Sequence, residues 1–260
     1  MDLQLSRKVA LVTGASRGIG LATVRALEAE GVRVVAAARS VSDGLLSTGA
    51  ITIPTDLSRP EAPAALVDAV IEKLGRLDIL VNNVGGGDGA MLGGLLDFDD
   101  AQWYETFELN FFAAMRTSRA AIPRLLDDGG VIVNVSSLGA KAPAGNPLPY
   151  TTAKAAMDAF GKSVSEEFGP RGVRVKTVSP GPVRTGMWES PDGHGAKLAA
   201  SLGISQEQFL ANMPAQLGLT TGRLVEPEEV ATFIAYLTSP LADSIVGSDH
   251  LIDGGALKSV

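Results

Sequence analysis

The chain has 260 residues, 45% hydrophobic and 20% charged, with 30 glycines and 14 prolines, a composition that excludes collagen-like, low-complexity and largely disordered classes. Its 29 acidic against 22 basic side chains give a net charge of −7, which argues against nucleic acid or an anionic membrane as partner. Without cysteine there are no disulfides, thiolate metal ligands, iron–sulfur clusters or cysteine nucleophile, and two histidines, His194 and His250, are too few for a histidine-built metal site. Met1 to Lys8 is polar and only a short apolar stretch follows it, so neither a signal peptide nor a membrane span is visible and a cytoplasmic location is expected.

Short β-branched runs alternate with stretches of 3.6-residue periodicity. Strands are predicted at Val9 to Thr13, Arg33 to Ala37, Ile51 to Ile53, Asp78 to Val81, Val131 to Val135, Val173 to Val178 and His250 to Ile252. Helices are predicted near Ile19 to Glu30, Ala62 to Leu74, Asp100 to Leu126, Thr151 to Phe168 and Pro227 to Thr238. Nearly unbroken apolar strands such as Val131-Ile132-Val133 imply a sheet covered on both faces. The expected fold is α/β: a single doubly wound domain over residues 1–260, with a seven-stranded, mainly parallel sheet. The stretch 186–222 breaks the alternation with apolar residues and weak helical pieces, and is expected to be a substrate-binding loop or lid whose Met187, Trp188, Leu198, Leu202, Phe209 and Met213 need an apolar surface to cover.

The first strand runs into Gly14-Ala15-Ser16-Arg17-Gly18-Ile19-Gly20 and then a helix. Glycines at such a turn let backbone N–H groups and the positive helix end approach a pyrophosphate, although a glycine turn also simply packs a helix on a strand. Its position at the first strand and helix of an α/β chain favours a Rossmann-type dinucleotide site, and the string Thr13 to Gly20 resembles that of the short-chain dehydrogenase/reductase family. The resemblance extends to Asp253-Gly254-Gly255 through ordered motifs. Asp56-Leu57 follows the third strand, where the family holds adenine. Asn82-Asn83-Val84-Gly85 resembles the family's Asn-Asn-Ala-Gly, with Val84 replacing alanine. Pro180-Gly181-Pro182-Val183-Arg184-Thr185 is similar to the segment that holds the nicotinamide carboxamide. The resemblance thus implies cofactor contacts from Gly14, Ser16, Arg17, Gly18, Ile19, Gly20, Arg39, Asp56, Leu57, Asn83, Val84, Gly85, Tyr150, Lys154, Pro180, Gly181, Val183 and Thr185.

Tyr150 and Lys154 lie one helical turn apart, a spacing that a solvated helix face also shows. In the family it marks the catalytic pair, preceded thirteen residues earlier by a serine; here that is Ser137, with Ser136 beside it. Asn110 matches the fourth member, and equally suits an amide filling a helix interior. Hydride reduction of a ketone leaves charge on oxygen, so a proton donor must already face it. The resemblance gives Tyr150 that role. Lys154 lowers the phenol's pKa and bonds the nicotinamide ribose, Ser137 orients the substrate oxygen, and Asn110 anchors a proton-replenishing water. No metal is required.

The resemblance further implies that Ala38 stands where NAD-preferring relatives carry aspartate; Arg39 follows it, and Arg17 adds a second charge, so NADP(H) is expected over NAD(H). The expected activity is hydride transfer between that cofactor and a small free carbonyl or alcohol. Relatives acting on acyl carrier protein tend to be basic at the mouth, whereas Asp127, Asp128, Glu189, Asp192 and Glu207 here face only Lys197, leaving a 3-oxoacyl-carrier reductase as the alternative within the enzyme class. A non-catalytic dinucleotide sensor predicts a degraded tetrad, and a methyltransferase an acid where Arg39 stands. By resemblance the protein is a homotetramer paired through the helices at Asp100 to Leu126 and Thr151 to Phe168.

Overall fold

The computed structural model describes residues 2–86, 94–143 and 146–258. Seven strands form one sheet: β1 (Val9–Thr13), β2 (Arg33–Ala38), β3 (Ile51–Pro54), β4 (Ile79–Asn82), β5 (Gly130–Val135), β6 (Val173–Pro180) and β7 (Asp249–Ile252). All pairings are parallel and the order is β3-β2-β1-β4-β5-β6-β7, so the sheet grows outward in both directions from the β1–β4 junction. The mainly parallel sheet expected is parallel throughout.

Alternate residues of each buried strand feed two cores. Ala10, Val12, Val34, Ala36, Val81 and Val133 face the layer containing α1 (Gly18–Ala29) and α10 (Pro227–Thr238), and meet Val24, Leu27, Val230 and Ile234. Leu11, Val35, Leu80, Ile132 and Val175 face α3 (Ala62–Leu74), α5 (Ala113–Leu125) and α6 (Leu148–Phe168). Both faces are apolar because both are covered. α3 stops where Gly75 takes the left-handed φ of 78°. Among the described residues no helix is long and apolar enough to cross a membrane.

Three segments depart from the sequence reading. The helix expected over Asp100 to Leu126 is α4 (Asp100–Phe107), a single π turn (Glu108–Phe112) and α5; an extra residue in that turn swings Asn110 off the regular helix face. α6 starts at Leu148, not Thr151, with Pro149 in its first turn, so Tyr150 belongs to the helix. A four-residue helix, α2 (Asp43–Leu46), lay below the length at which periodicity is readable; Ser42 caps it.

Among the described residues two charged side chains are buried in the sheet layer. Lys176 donates to the carbonyls of Leu237 in α10 and of Ala242 in the turn after it, and burial pushes its ammonium down to about 7. Asp78 accepts from the Val9 amide (2.9 Å), Arg76 (2.6 and 2.9 Å) and Lys8 (3.2 Å). Burial alone would raise its carboxyl; the hydrogen bonds outweigh it and hold the group below its ordinary value. Because the folded pKa is depressed, the stability this group contributes is fully present above the unfolded carboxylate range and is lost as pH falls from there through the lower folded value. Asp78→Ala, which orphans the Val9 amide, is expected to lower stability at neutral pH by about 1–3 kcal/mol, read as a reduced urea midpoint with unchanged m, and the gap to the parent narrows in acid.

Candidate active site

The carboxyl ends of all seven strands lie along one edge of the sheet, and the crevice opens where the order reverses between β1 and β4. β1 ends there in a turn in which Gly14 and Gly18 have φ of 65° and 54°. A Cβ on Gly20 would collide with the Gly14 carbonyl and the Asn83 amide, so α1 leaves the turn at a contact distance open only to glycine. α1 has no side-chain cap and no acidic residue in its first turn, which leaves its amide donors and positive end free for an anion.

Thr13 ties this turn to the next one. Its hydroxyl donates to the Val81 carbonyl (3.2 Å) and accepts from the Asn83 and Val84 amides (3.0 and 3.1 Å), while Asn83 Nδ2 donates to the carbonyls of Thr13 and Gly14. Thr13 thus positions both turns, a role the sequence reading, which has it only open the family-like string, does not assign; a hydroxyl at the end of an apolar run, here fully buried, is the signal that marks it. Around the crevice, Arg17 and Arg39 are exposed and Ala38 ends β2. Asp56, held low by its Ser58 hydrogen bond, also feels Arg39. Leu57 is buried in the α3-side core. Gly18 faces Thr185, and Val183 bridges Val225, fixing the Pro180–Thr185 loop. Gly181 packs on Asp253 so closely that no side chain fits between them. Ser16 accepts through its carbonyl from Ser42, and Ile19 accepts through its carbonyl from Thr23.

Ser137, Tyr150, Lys154 and Asn110 converge on the same crevice. Ser137 follows β5, caps a short 3₁₀ turn through the Gly139 amide (3.1 Å) and hydrogen-bonds the Tyr150 hydroxyl. Lys154 is 3% exposed, donates to the Val135 carbonyl (2.9 Å) and lies 5.8 Å from the centre of the Tyr150 ring. Asn110, fully buried, clasps the Gly86 backbone with both amide ends (2.9 and 3.0 Å) and donates to the Thr106 carbonyl. A Cβ on Gly85 would stand 2.9 Å from Asn110 Oδ1 and 3.0 Å from Lys154 Nζ, so both side chains reach one loop residue. From the π turn its amide serves both the loop after β4 and, through Thr106, its own helix. Ser136, the competing serine, points to the Lys154 carbonyl instead (3.3 Å).

Burial dominates the electrostatics of the pair. It raises the Tyr150 phenol, against which the Ser137 hydrogen bond acts, and pushes the Lys154 ammonium down to about 8, against which Asp158 acts. The expectation that Lys154 lowers the phenol is corrected to this extent: among the protein's own groups, desolvation of the phenolate outweighs the neighbouring ammonium.

Two further expectations change. Asp127 and Asp128 precede β5, hence lie at the amino end of the sheet, opposite the crevice; Asp128 pairs with Arg76 there (3.3 Å) and has no bearing on charge at the mouth. Residues 186–222 hold three helices, α7 (Gly186–Glu189), α8 (His194–Ser201) and α9 (Gln206–Gln216), whose Ala199, Phe209 and Met213 are buried with Leu219 and Leu224, with Trp188 and Leu198 packed against them. The segment's apolar residues mostly cover one another; Met187 and Leu202 stay exposed. His194 packs on the Trp188 ring, and burial lowers its pKa.

The family described as enoyl-(acyl carrier protein) reductase matches residues 14–256. The chain is 33% identical over 256 residues to the short-chain reductase NovJ of Streptomyces niveus, covering 95% of this chain and 93% of that one. It is 33% identical over 262 residues to a 3-oxoacyl-[acyl-carrier-protein] reductase of Vibrio cholerae, covering 97% and 98%. Its fold superposes on Gluconobacter frateurii L-sorbose reductase, solved with NADPH and L-sorbose, with a TM-score of 0.91 at 31% identity over the whole of both chains. Likeness at this level, unbroken from the glycine turn to the residues after β7, means that the chain belongs to the short-chain dehydrogenase/reductase family and is an oxidoreductase acting between CH–OH and C=O groups.

Proposed function

We propose that the protein uses NADP(H) to reduce a small free carbonyl compound, or to oxidise the corresponding alcohol, with Asn110, Ser137, Tyr150 and Lys154 as its catalytic residues. The observation that carries this reading is the half-buried Ser137–Tyr150 hydrogen bond with the buried Lys154 beside it, opening on the crevice at the β1–β4 junction. The uncapped, acid-free start of α1 fits a pyrophosphate, and the glycine turn lets it approach the backbone. Gly14, Ser16, Arg17, Gly18, Ile19 and Gly20 hold that group; Arg39 and Arg17 take the 2′-phosphate; Asp56 and Leu57 flank the adenine; Asn83, Val84 and Gly85 line the nicotinamide ribose; Pro180, Gly181, Val183 and Thr185 hold the carboxamide.

The nicotinamide supplies or accepts the hydride. Tyr150 Oη gives its proton to the carbonyl oxygen as charge develops there, and Ser137 Oγ, oriented by the Gly139 amide, donates the second hydrogen bond. Burial keeps the phenol protonated until it is called on, and Lys154 supplies a fixed positive charge against the departing proton. Asn110 holds the Gly86 backbone and anchors the water that returns protons. The segment 186–222, packed around a small core of its own and joined through the Val183–Val225 bridge, moves as one lid over the substrate.

The L-sorbose reductase likeness supports NADPH and a small polar substrate. Acyl-carrier relatives at similar identity favour the second reading, a 3-oxoacyl-carrier reductase. Against it stands the segment's charge, where Asp192 and Glu207 meet only Lys197, and Glu189 is tied to Arg184 (3.1 Å). We place the enzyme in the cytoplasm as a homotetramer.

Tyr150→Phe is expected to lower kcat/KM for carbonyl reduction at least about a hundredfold while Kd for NADPH stays within about twofold; Lys154→Ala harms both. Steady-state assays on a ketone panel and fluorescence titration read this, and a Tyr150→Phe enzyme of near-parental activity would refute the assignment.

For the cofactor, Arg39→Ala is expected to reduce kcat/KM for NADPH roughly ten- to a hundredfold with little change for NADH, and Ala38→Asp to reverse the preference. A parent enzyme that prefers NADH overturns it. For the lid, amide exchange across 186–222 is expected to slow only when cofactor and substrate are both bound; equal protection with and without them excludes closure.

A further inference from the structure

Behind the catalytic pair lies a charge cluster that the mechanism above does not use. Asp158 sits one turn beyond Lys154 on α6, the spacing at which helix side chains are neighbours. Lys141, at the end of the short turn that Ser137 caps, lies 3.2 Å from Asp158 Oδ2 and also pairs with Asp249 at the start of β7. Asp249 in turn accepts from Ser179 (2.8 Å), the residue before Pro180. The turn after β5, the end of β6 and α6, which all bear site residues, thus meet β7 at one cation and two carboxylates.

Asp158 is unusually placed within this cluster. Burial raises its carboxyl and Asp249 adds to that, while the Ser136 hydroxyl and Lys141 act the other way; that hydroxyl also donates to the Lys154 carbonyl (3.3 Å), and Asp158 Oδ1 is buried without a partner of normal geometry. A buried carboxylate oxygen with no hydrogen bond is costly unless its charge is used by a neighbour. Its charged neighbours are Lys154 on its own helix, Lys141 from the β5 turn and Asp249 from β7; β5 contributes only the neutral Ser136, Lys162 is turned to Glu166 (3.1 Å), and His250 acts on Asp249 rather than on Asp158.

We propose that Asp158 is a positioning residue of the reaction: its carboxylate, paired with Lys141, is the counter-charge that holds the buried Lys154 ammonium protonated at working pH. The inference rests on the reading of Tyr150 and Lys154 as the catalytic pair. Its direction follows from the electrostatics: burial pulls Lys154 down to about 8 and Asp158 works against that pull. Without the carboxylate, Lys154 loses its proton at lower pH, and carbonyl reduction fails earlier as pH rises.

The test is the pH profile of kcat/KM for carbonyl reduction with NADPH in the parent, Asp158→Asn, Asp158→Glu and Tyr150→Phe. Asp158→Asn is expected to move the basic limb down by about half a pH unit or more, and Asp158→Glu to restore it. A loss of rate with the limb unmoved overturns the proposal and assigns Asp158 to packing alone. Asp158→Ser, smaller and neutral, replaces the amide variant if that one does not fold; if both neutral variants unfold while Asp158→Glu folds, the residue serves stability and the proposal falls. Tyr150→Phe keeps the two readings apart: if it retains activity the catalytic pair is misassigned, whereas its inactivity beside an unmoved Asp158→Asn limb refutes only the counter-charge.

Discussion

Everything at the site depends on where the parallel sheet reverses its order. From β1 the chain first builds outward through β2 and β3, then returns to β4 beside β1 and builds the other way. Because every strand is parallel, each connection leaves from the same edge, and the two turns leaving β1 and β4 cannot cover one another. The gap between them receives the glycine turn on one side and the Asn83–Gly85 loop on the other. Thr13 and Asn83 stitch these together by five hydrogen bonds across about 70 residues of sequence, so the floor of the crevice is rigid before any ligand arrives.

Desolvation is the second organising force. A phenol and an ammonium placed in water one turn apart interact weakly. Here β5, the turn after it and α6 bury both, which raises one group and lowers the other. Their ordinary values near 10 and 10.5 are thereby separated, the phenol firmly neutral and the amine closer to neutral pH. Such a pair holds a proton at the phenol oxygen with a positive charge beside it. The π turn supplies the third side of the same pocket, since only an irregular helix turn aims Asn110 at the Gly86 backbone.

Packing separates the segment 186–222 from the body: it buries its Phe209 and Met213 within a small core of its own. Arg184 links it to the body through Glu189 and Glu226, both half-exposed contacts of modest strength. The residues of the proposed tetrad, in contrast, stand at the end of β5, on the first turns of α6 and on the π turn before α5.

The strands, the main helices and the order of the motifs were legible in the sequence because a doubly covered sheet writes continuous apolar runs and a helix writes its period, while glycine marks turns by backbone necessity. The Gly14 turn and the one-turn spacing of Tyr150 and Lys154 were legible from the chain itself, whereas Ser137 and the role of the pair were legible only through the family resemblance. What the sequence did not carry is what depends on partners far apart in it. That Asp127 and Asp128 lie at the wrong end of the sheet, that residues 186–222 cover themselves, that Asn110 leaves its helix face, and that Asp158, Lys141 and Asp249 meet are consequences of packing. Local pattern determined the elements and their chemistry; the sheet's crossover order decided which charges face one another, because Coulombic and desolvation energies depend on distance and burial and not on position along the chain.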